Sequence, residues 1–287
     1  MHDNPQATFL ASIPMRTIKP ITTVRSNPAV DYEVLVRRGS FYGVVDKIAQ
    51  LKQVGRVLVI TDTNVERLYA TRLIHQLTEA GFRTLKFVCK PGRRQKSLNT
   101  ATQVFRFLFD HGADRYTLVL NVGGGTVGDL GGFVAALYLR GLRYIHIPTT
   151  LLSQADSGVG GKVNVNFGLN LNSLSVFHHP TAVWIDPDLL RTLPRREYLS
   201  GMAEIIKYAA ILDQGLFVQL EQCSDQINKR SDDFIEAVIH HCLEMKCKIV
   251  SKDPREEGPF RFFNYGHEVG HAIEVAYDYK HLLHDAY

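Results

Sequence analysis

One stretch limits the choice of fold more than any other. Residues 116–122 (Tyr-Thr-Leu-Val-Leu-Asn-Val) are a short apolar run of the kind buried on both faces of a parallel sheet. They run straight into Gly123-Gly124-Gly125-Thr126-Val127-Gly128-Asp129, and an apolar helix is expected over 130–139. Strand, glycine loop and helix together cradle phosphates, because missing side chains let backbone N–H groups and the helix N-terminus meet the anion. The spacing is not Gly-x-Gly-x-x-Gly, and no Gly-Lys-Ser/Thr closes it, so neither the dinucleotide fingerprint nor a Walker loop is present. Glycines can also serve a tight turn alone. Three in succession with Asp129 at the helix start favour a nucleotide.

The flanking sequence agrees. Strands are expected at 32–36, 56–61, 84–88, 144–147 and 183–185, with helices at 65–80 and 100–111 between them. That alternation indicates a parallel sheet covered by helices. Asp62-Thr63-Asn64 and Pro148-Thr149-Thr150 fall at C-terminal strand ends, where open α/β sheets bind ligands. The two threonines can hold a ribose or phosphate, or cap the next helix. Residues 91–97, with Arg93, Arg94 and Lys96, form a basic loop that is either a solvated turn or an anion contact. Asp156, the glycines that follow it and Lys162 lie within seven residues and suggest a loop set against a polar ligand, with Asn164, Asn166, Asn170 and Asn172 continuing the lining. Beyond residue 186 the pattern turns helical. Glu204 and Lys207, three apart, can face one site or form an ordinary surface pair, and Lys246 lies on a helix expected at 232–251.

Composition excludes several classes. The apolar share of 45% and charged share of 22% are those of a soluble globular protein of 287 residues, enough for one large or two ordinary domains. A net charge of +4 is too mild to imply nucleic acid by itself and fits equally a small anionic substrate or no charged partner at all. No apolar run approaches a membrane span. Cys89, Cys223, Cys242 and Cys247 form no Cys-x-x-Cys pair, so reduced thiols in a cytoplasm are expected. Residues 1–30, with Pro5, Pro14, Pro20 and Pro28, read as an N-terminal extension.

Near the C-terminus, His267-Glu268-Val269-Gly270-His271 matches the His-Glu-x-x-His of zinc peptidases. That reading leaves the glycine stretch, Asp156, Lys162 and Lys207 without roles. Taken in order, Gly-Gly-Gly-x-x-Gly-Asp-Leu, Arg140-Gly141, Pro148-Thr149-Thr150-Leu151-Leu152 and Gly160-Gly161-Lys162 resemble 3-dehydroquinate synthase and the wider sugar-phosphate cyclases. The likeness continues through Thr192-Leu193-Pro194-x-Arg196-Glu197, Gly201-Met202-Ala203-Glu204-Ile205-Ile206-Lys207 and Asn264-x-Gly266-His267-x-x-Gly270-His271, from about Tyr32 to His284.

The resemblance implies an α/β nucleotide-binding domain (31–186) and a mostly α-helical metal-binding domain (187–287), with the active site between them. It implies that Asp62, Asn64, Lys96, Gly124, Gly125, Asp129, Thr149 and Thr150 contact NAD, and that Glu204, His267 and His284 hold Zn2+ or Co2+. His271 would transfer protons, making Glu268 incidental. Asp156, Lys162, Lys207, Lys246, Asn172 and Arg140 would serve an anionic sugar phosphate, with Arg140 reaching the partner's site in a homodimer. The implied reaction is an NAD-dependent, phosphate-eliminating cyclisation in the cytoplasm, on 3-deoxy-D-arabino-heptulosonate 7-phosphate for 3-dehydroquinate synthase. No nucleic acid or membrane is involved.

The chain departs from the family pattern at several points. Arg93 replaces a glutamate that contacts the NAD ribose, Leu171 beside Asn172 replaces a lysine, and Phe260 stands in place of a substrate-binding arginine, with Arg261 next to it. After His284 comes Asp285-Ala286-Tyr287 instead of Gly-Glu-Ala-Val, and the family has further helices with another substrate-binding lysine, so the sequence reads either as a fragment or as a shortened, impaired enzyme. Asn166-Phe167-Gly168 and His178-His179-Pro180 also resemble the cyclases that use sedoheptulose 7-phosphate. That cyclase and a non-catalytic NAD-binding relative stand as the alternatives.

Overall fold

The computed structural model describes residues 22–25, 31–168, 170–230, 232–253 and 258. Its main sheet holds β1 (Thr22–Arg25), β2 (Asp31–Val36), β3 (Arg56–Asp62), β4 (Arg83–Cys89), β5 (Thr117–Gly123) and β6 (Tyr144–Pro148). A separate hairpin of β7 (Lys162–Phe167) and β8 (Asn170–Phe177) precedes the last strand of the sheet, β9 (Ala182–Ile185). The order is β1-β2-β9-β6-β5-β3-β4. Every pair is parallel except β1 with β2, so a segment of the stretch read as an extension supplies an antiparallel edge.

The helices are α1 (Val44–Gln50), α2 (63–79, with a π-helical turn at Glu66–Ala70), α3 (Leu98–Asp110) and α4 (Gly125–Leu137). After β9 come α5 (Arg195–Leu212), α6 (Gln214–Gln222), α7 (Ser224–Lys229) and α8 (Asp232–Lys252). Among the described residues no helix is long and apolar enough to cross a membrane. All four cysteines are free and buried.

Strand β3 shows why the helices lie where they do. Val57, Leu58, Val59 and Ile60 are all fully buried. Val57 and Val59 share a core with Leu73 and Leu77 of α2, whereas Leu58 and Ile60 meet Val104 and Leu108 of α3 and Leu130 and Val134 of α4. Successive side chains point to opposite faces, so an unbroken apolar run needs a helix on each side. Each such side chain contributes ~1.5–3 kcal/mol on burial. Local polar groups fix the helix starts. Asp62 Oδ1 accepts from the N–H groups of Asn64 (2.8 Å) and Val65 (3.1 Å), and Ser97 Oγ accepts from Thr100 N–H (3.2 Å). A third core joins Val34, Val183 and Ile185 of the sheet to Tyr198, Ile205, Val238 and Ile239 of the helical half.

The structure differs from the sequence expectations at three places. The helix expected over 130–139 begins at Gly125, so the glycine loop shrinks to the N-cap Gly124, and Gly128 and Asp129 lie in the first turns. The loop expected around Asp156 is a π-helical turn, Ser153–Ser157, followed by a short connection to Lys162, the first residue of β7. The asparagines read as a loop lining lie on the hairpin, where Asn164 and Asn166 are buried.

Close approach seats α4. A Cβ on Gly131 would lie 1.8 Å from Asn121 Oδ1, one on Gly128 2.6 Å from the His146 ring, and one on Gly132 2.3 Å from Val163. The hairpin is then fastened to α4 through Lys96. This lysine is 6% exposed, pairs with Asp129 (2.5 Å) and donates to Asn172 Oδ1 (2.7 Å). Asn172 takes a left-handed conformation (φ 53°), which asparagine tolerates better than most residues, and its N–H donates to Asn166 Oδ1. Burial lowers the Lys96 pKa and raises that of Asp129, and each opposes the shift in the other.

Two stability measurements follow from this packing. Gly131→Ala should cost about 2–3 kcal/mol in chemical denaturation, because backbone and Asn121 must both move. Lys96→Met strands a carboxylate and should cost about 3 kcal/mol, most of it recovered when Asp129→Leu is added. A Lys96→Met protein as stable as the parent would refute the role given to the pair.

Candidate active site

Strand order locates a crevice before any side chain is considered. From β3 the chain crosses outward to β4, whereas β5 lies on the other side of β3 and leads on to β6. The connections therefore diverge between β3 and β5, and ligands of open α/β sheets bind outside the strand ends at such a point. Asp62 and Asn64 follow the end of β3, Gly123 and Gly124 the end of β5, and Thr149 and Thr150 the end of β6.

The N-terminus of α4 opens into this crevice with glycine at its N-cap and no side-chain cap. Its first N–H groups and its dipole favour an anion. Adjacent lining comes from Gly125, Asp129, His146, Ser157 and Lys162. The two threonines divide the roles foreseen for them. Thr150 Oγ1 accepts from Ser153 N–H (3.3 Å) and so caps the next turn, whereas Thr149 Oγ1 is buried with no hydrogen-bond partner among the described residues. An orphaned buried hydroxyl beside an uncapped helix N-terminus fits a dinucleotide. Lys96 and Asp129 complete this side, and burial keeps the nearby His146 neutral, its pKa lowered to about 4.

A second group of charges faces the turn Ser153–Ser157 from the helical half. Asp156 Oδ1 accepts from Lys246 Nζ of α8 at 2.9 Å and from the Tyr208 hydroxyl of α5. On α5, Lys207 pairs with Glu204, whose side chain is only 3% exposed, so this is no surface pair. The two groups share one stretch of chain. Asp156 meets Lys246 and Tyr208, while Ser157 and Lys162 line the crevice at α4. Gly161 in that stretch has φ +72°, and a Cβ there would meet the His179 ring at 2.5 Å.

Most of the site residues foreseen in the sequence thus fall into two sets. Asp62, Asn64, Gly124, Gly125, Thr149 and Thr150 lie at the strand ends, with Lys96, Asp129, Lys162 and Asn172 beside them. Asp156, Glu204, Lys207 and Lys246 form the second group. Arg140 joins neither within the chain. It is exposed just past the far end of α4, on a turn where Leu139 and Arg140 both have positive φ. His267, His271 and His284, like Glu268, Phe260 and Arg261, lie outside the described residues. Among the described residues no group of three or more His, Cys, Asp or Glu side chains is placed to hold a metal. Tyr208 and Ser157 were missed. Tyr208 follows Lys207 directly and Glu204 by one helical turn, a spacing that could have found it.

Comparison with known proteins bears on the family and the fold. Residues 86–200 match the family model of the 3-dehydroquinate synthase N-terminal domain, and residues 201–286 that of its C-terminal domain. The chain is 39% identical over 253 residues to the 3-dehydroquinate synthase of Thermodesulfovibrio yellowstonii, covering 88% of this chain and 70% of that protein. It is 44% identical over 229 residues to the enzyme of Desulforamulus reducens, covering 80% of this chain and 64% of that protein. Among solved structures, 2-epi-5-epi-valiolone synthase from Streptomyces hygroscopicus subsp. jinggangensis, with NAD+ and Zn2+ bound, superposes with a TM-score of 0.79 at 28% identity over 89% of this chain and 71% of that one. A 2-deoxy-scyllo-inosose synthase complexed with carbaglucose-6-phosphate, NAD+ and Co2+ gives 0.80 at 25% identity over 92% of this chain and 71% of that one. The butanol dehydrogenase of Thermotoga maritima, at 16% identity, a TM-score of 0.64 and coverage of 88% and 69%, shows the shared fold alone. With both family models matched in order and close sequence relatives covered over most of their length, the chain belongs to the 3-dehydroquinate synthase family, within the sugar-phosphate cyclases.

Proposed function

We propose that this chain is a 3-dehydroquinate synthase that takes 3-deoxy-D-arabino-heptulosonate 7-phosphate, with NAD and a divalent metal, to a carbocycle and phosphate. One observation carries the reading. The stretch from Asp156 to Lys162 joins the crevice at the start of α4 to a cluster of paired lysines, so cofactor and anionic substrate would meet on the same turn.

NAD would lie with its phosphates at the uncapped start of α4 and its polar edges against Asp62, Asn64, Lys96, Asp129, Thr149 and Thr150. Bound there, NAD supplies a hydride acceptor and donor, while the metal supplies a Lewis acid for a substrate oxygen. Glu204 fits a ligand role as a buried carboxylate beside the cleft, with His267 and His284 completing the set and His271 moving protons. Lys162, Lys207, Lys246 and Asn172 would orient the carboxylate and phosphate of the substrate. The exposed Leu137 and Leu139 beside Arg140 support a homodimer in which Arg140 serves the partner's cleft.

Asp156 must stay ionised to keep its cations in place. Burial works against the carboxylate, but Lys246 and Lys207, with the Tyr208 and Lys246 hydrogen bonds, overcome it and hold the pKa well below the ordinary range. The folded pKa is depressed, so the stabilisation is present above the unfolded value of about 4 and is lost as pH falls through the folded one. The stability difference between the parent and Asp156→Asn should therefore shrink on acidification below about pH 4. A difference that stays constant over the acidic range would refute this assignment.

Phosphate release decides the function. Purified chain loaded with NAD and zinc should release phosphate from the heptulosonate phosphate, and removing the metal with a chelator should stop it. Consumption of sedoheptulose 7-phosphate instead would select the other cyclase reading, which His178-His179-Pro180 favours. A folded, metal-loaded protein that binds no NAD in calorimetry would overturn both.

A further inference from the structure

Tyr208 has no part in the reaction as derived so far, yet it is 1% exposed and lies one residue past Lys207 on α5. Its hydroxyl donates to Asp156 Oδ1, the same oxygen that accepts from Lys246 Nζ. Among the described residues no hydrogen bond engages Oδ2, and the Asp156 side chain keeps 16% exposure. The two donors differ in kind. An ammonium is a point charge on a flexible stem and sets no plane for the carboxylate. The terminal torsion of an aspartate is broad, so a lysine alone leaves it free to turn. A phenol fixed to a buried ring donates from one direction only.

We infer that Tyr208 is a positioning residue. Acting through Asp156 and not on the substrate, its hydroxyl fixes the carboxylate on Oδ1 and leaves Oδ2 to accept from a hydroxyl of the sugar phosphate. The bond also joins the helical half to the turn that follows β6, so the orientation exists only when the two halves are docked. The inference rests on the proposed function for its substrate, and on geometry alone for the Tyr208–Asp156 bond.

Tyr208→Phe removes only the oxygen and tests both parts. KM for the heptulosonate phosphate should rise about tenfold with kcat unchanged, as expected on losing a buried charge-assisted hydrogen bond that orders a binding group. The NAD dissociation constant should not move. Independently of turnover, 13C carboxyl NMR should show the Asp156 titration, identified by its loss in Asp156→Asn, moving up toward the ordinary carboxylate range in Tyr208→Phe. A fall in kcat at constant KM would place Tyr208 in the chemistry and overturn the inference. Parallel loss of NAD and substrate affinity would reduce Tyr208 to packing, and unchanged KM and titration would remove its role altogether. If the parent turns nothing over but the titration still moves, the positioning bond stands and the functional reading fails.

Discussion

How closely α4 lies on the sheet determines the crevice at the strand ends. Three glycines on that helix remove the side chains that would meet Asn121, His146 and Val163. Only at that distance does the helix N-terminus reach the ends of β3, β5 and β6, where an anion could use its N–H groups. Glycine inside a helix costs roughly 1 kcal/mol relative to alanine. Here that cost is offset by a buried interface on which Leu130, Phe133 and Val134 close against β3, β5 and the hairpin. The same seating brings Asp129 to Lys96, and Lys96 holds Asn172, so hairpin position follows from helix position.

The helical half is attached by a different device. Asp186, at the end of β9, accepts from the N–H groups of Gly39, Phe41 and Asp188, which draws the start of the crossing segment onto the sheet. Arg38 then reaches Asp188 at 2.9 Å and Asp232 at 2.7 Å, and Arg230 donates to the carbonyls of Leu190 and Leu193. Surface ion pairs are individually weak. Their effect here is geometric, since the segment is tied both to the sheet and to the start of α8, which carries Lys246. The position of Lys246 against Asp156 is thus set at a distance by this fastening.

Much of the sheet was legible because a strand buried on both faces writes itself as an unbroken apolar run, as 56–61 and 116–122 do. The start of α4 was not, since Gly125 and Gly128 have low helix propensity and only tertiary packing makes them helical. The hairpin was hidden by composition. Residues 162–167 do alternate polar and apolar side chains, but Asn164 and Asn166 are polar yet buried, so asparagines that read as a ligand lining are strand residues, and their partners, such as the Lys96 backbone carbonyl, lie far away in sequence. At the candidate site, the ordered motifs named the charged residues but not their pairing. A three-residue spacing on a helix fits a surface pair and a buried one equally, and only the packing of α5 against the Ser153–Ser157 turn makes Glu204–Lys207 the latter.

That pairing has a consequence for binding. Lys96 is matched by Asp129, Lys207 by Glu204 and Lys246 by Asp156, so these cations are held in place before any ligand arrives. A lysine left loose would lose about 2 kcal/mol of rotamer freedom when a phosphate fixed it. Lysines already fixed by carboxylates lose far less, and the ordering cost has been met in folding. Among the described residues, each of these three lysines faces a carboxylate, which spares the fold the repulsion of unmatched buried ammonium groups. Charges ordered in this way before binding are the condition under which electrostatics contributes most to a transition state.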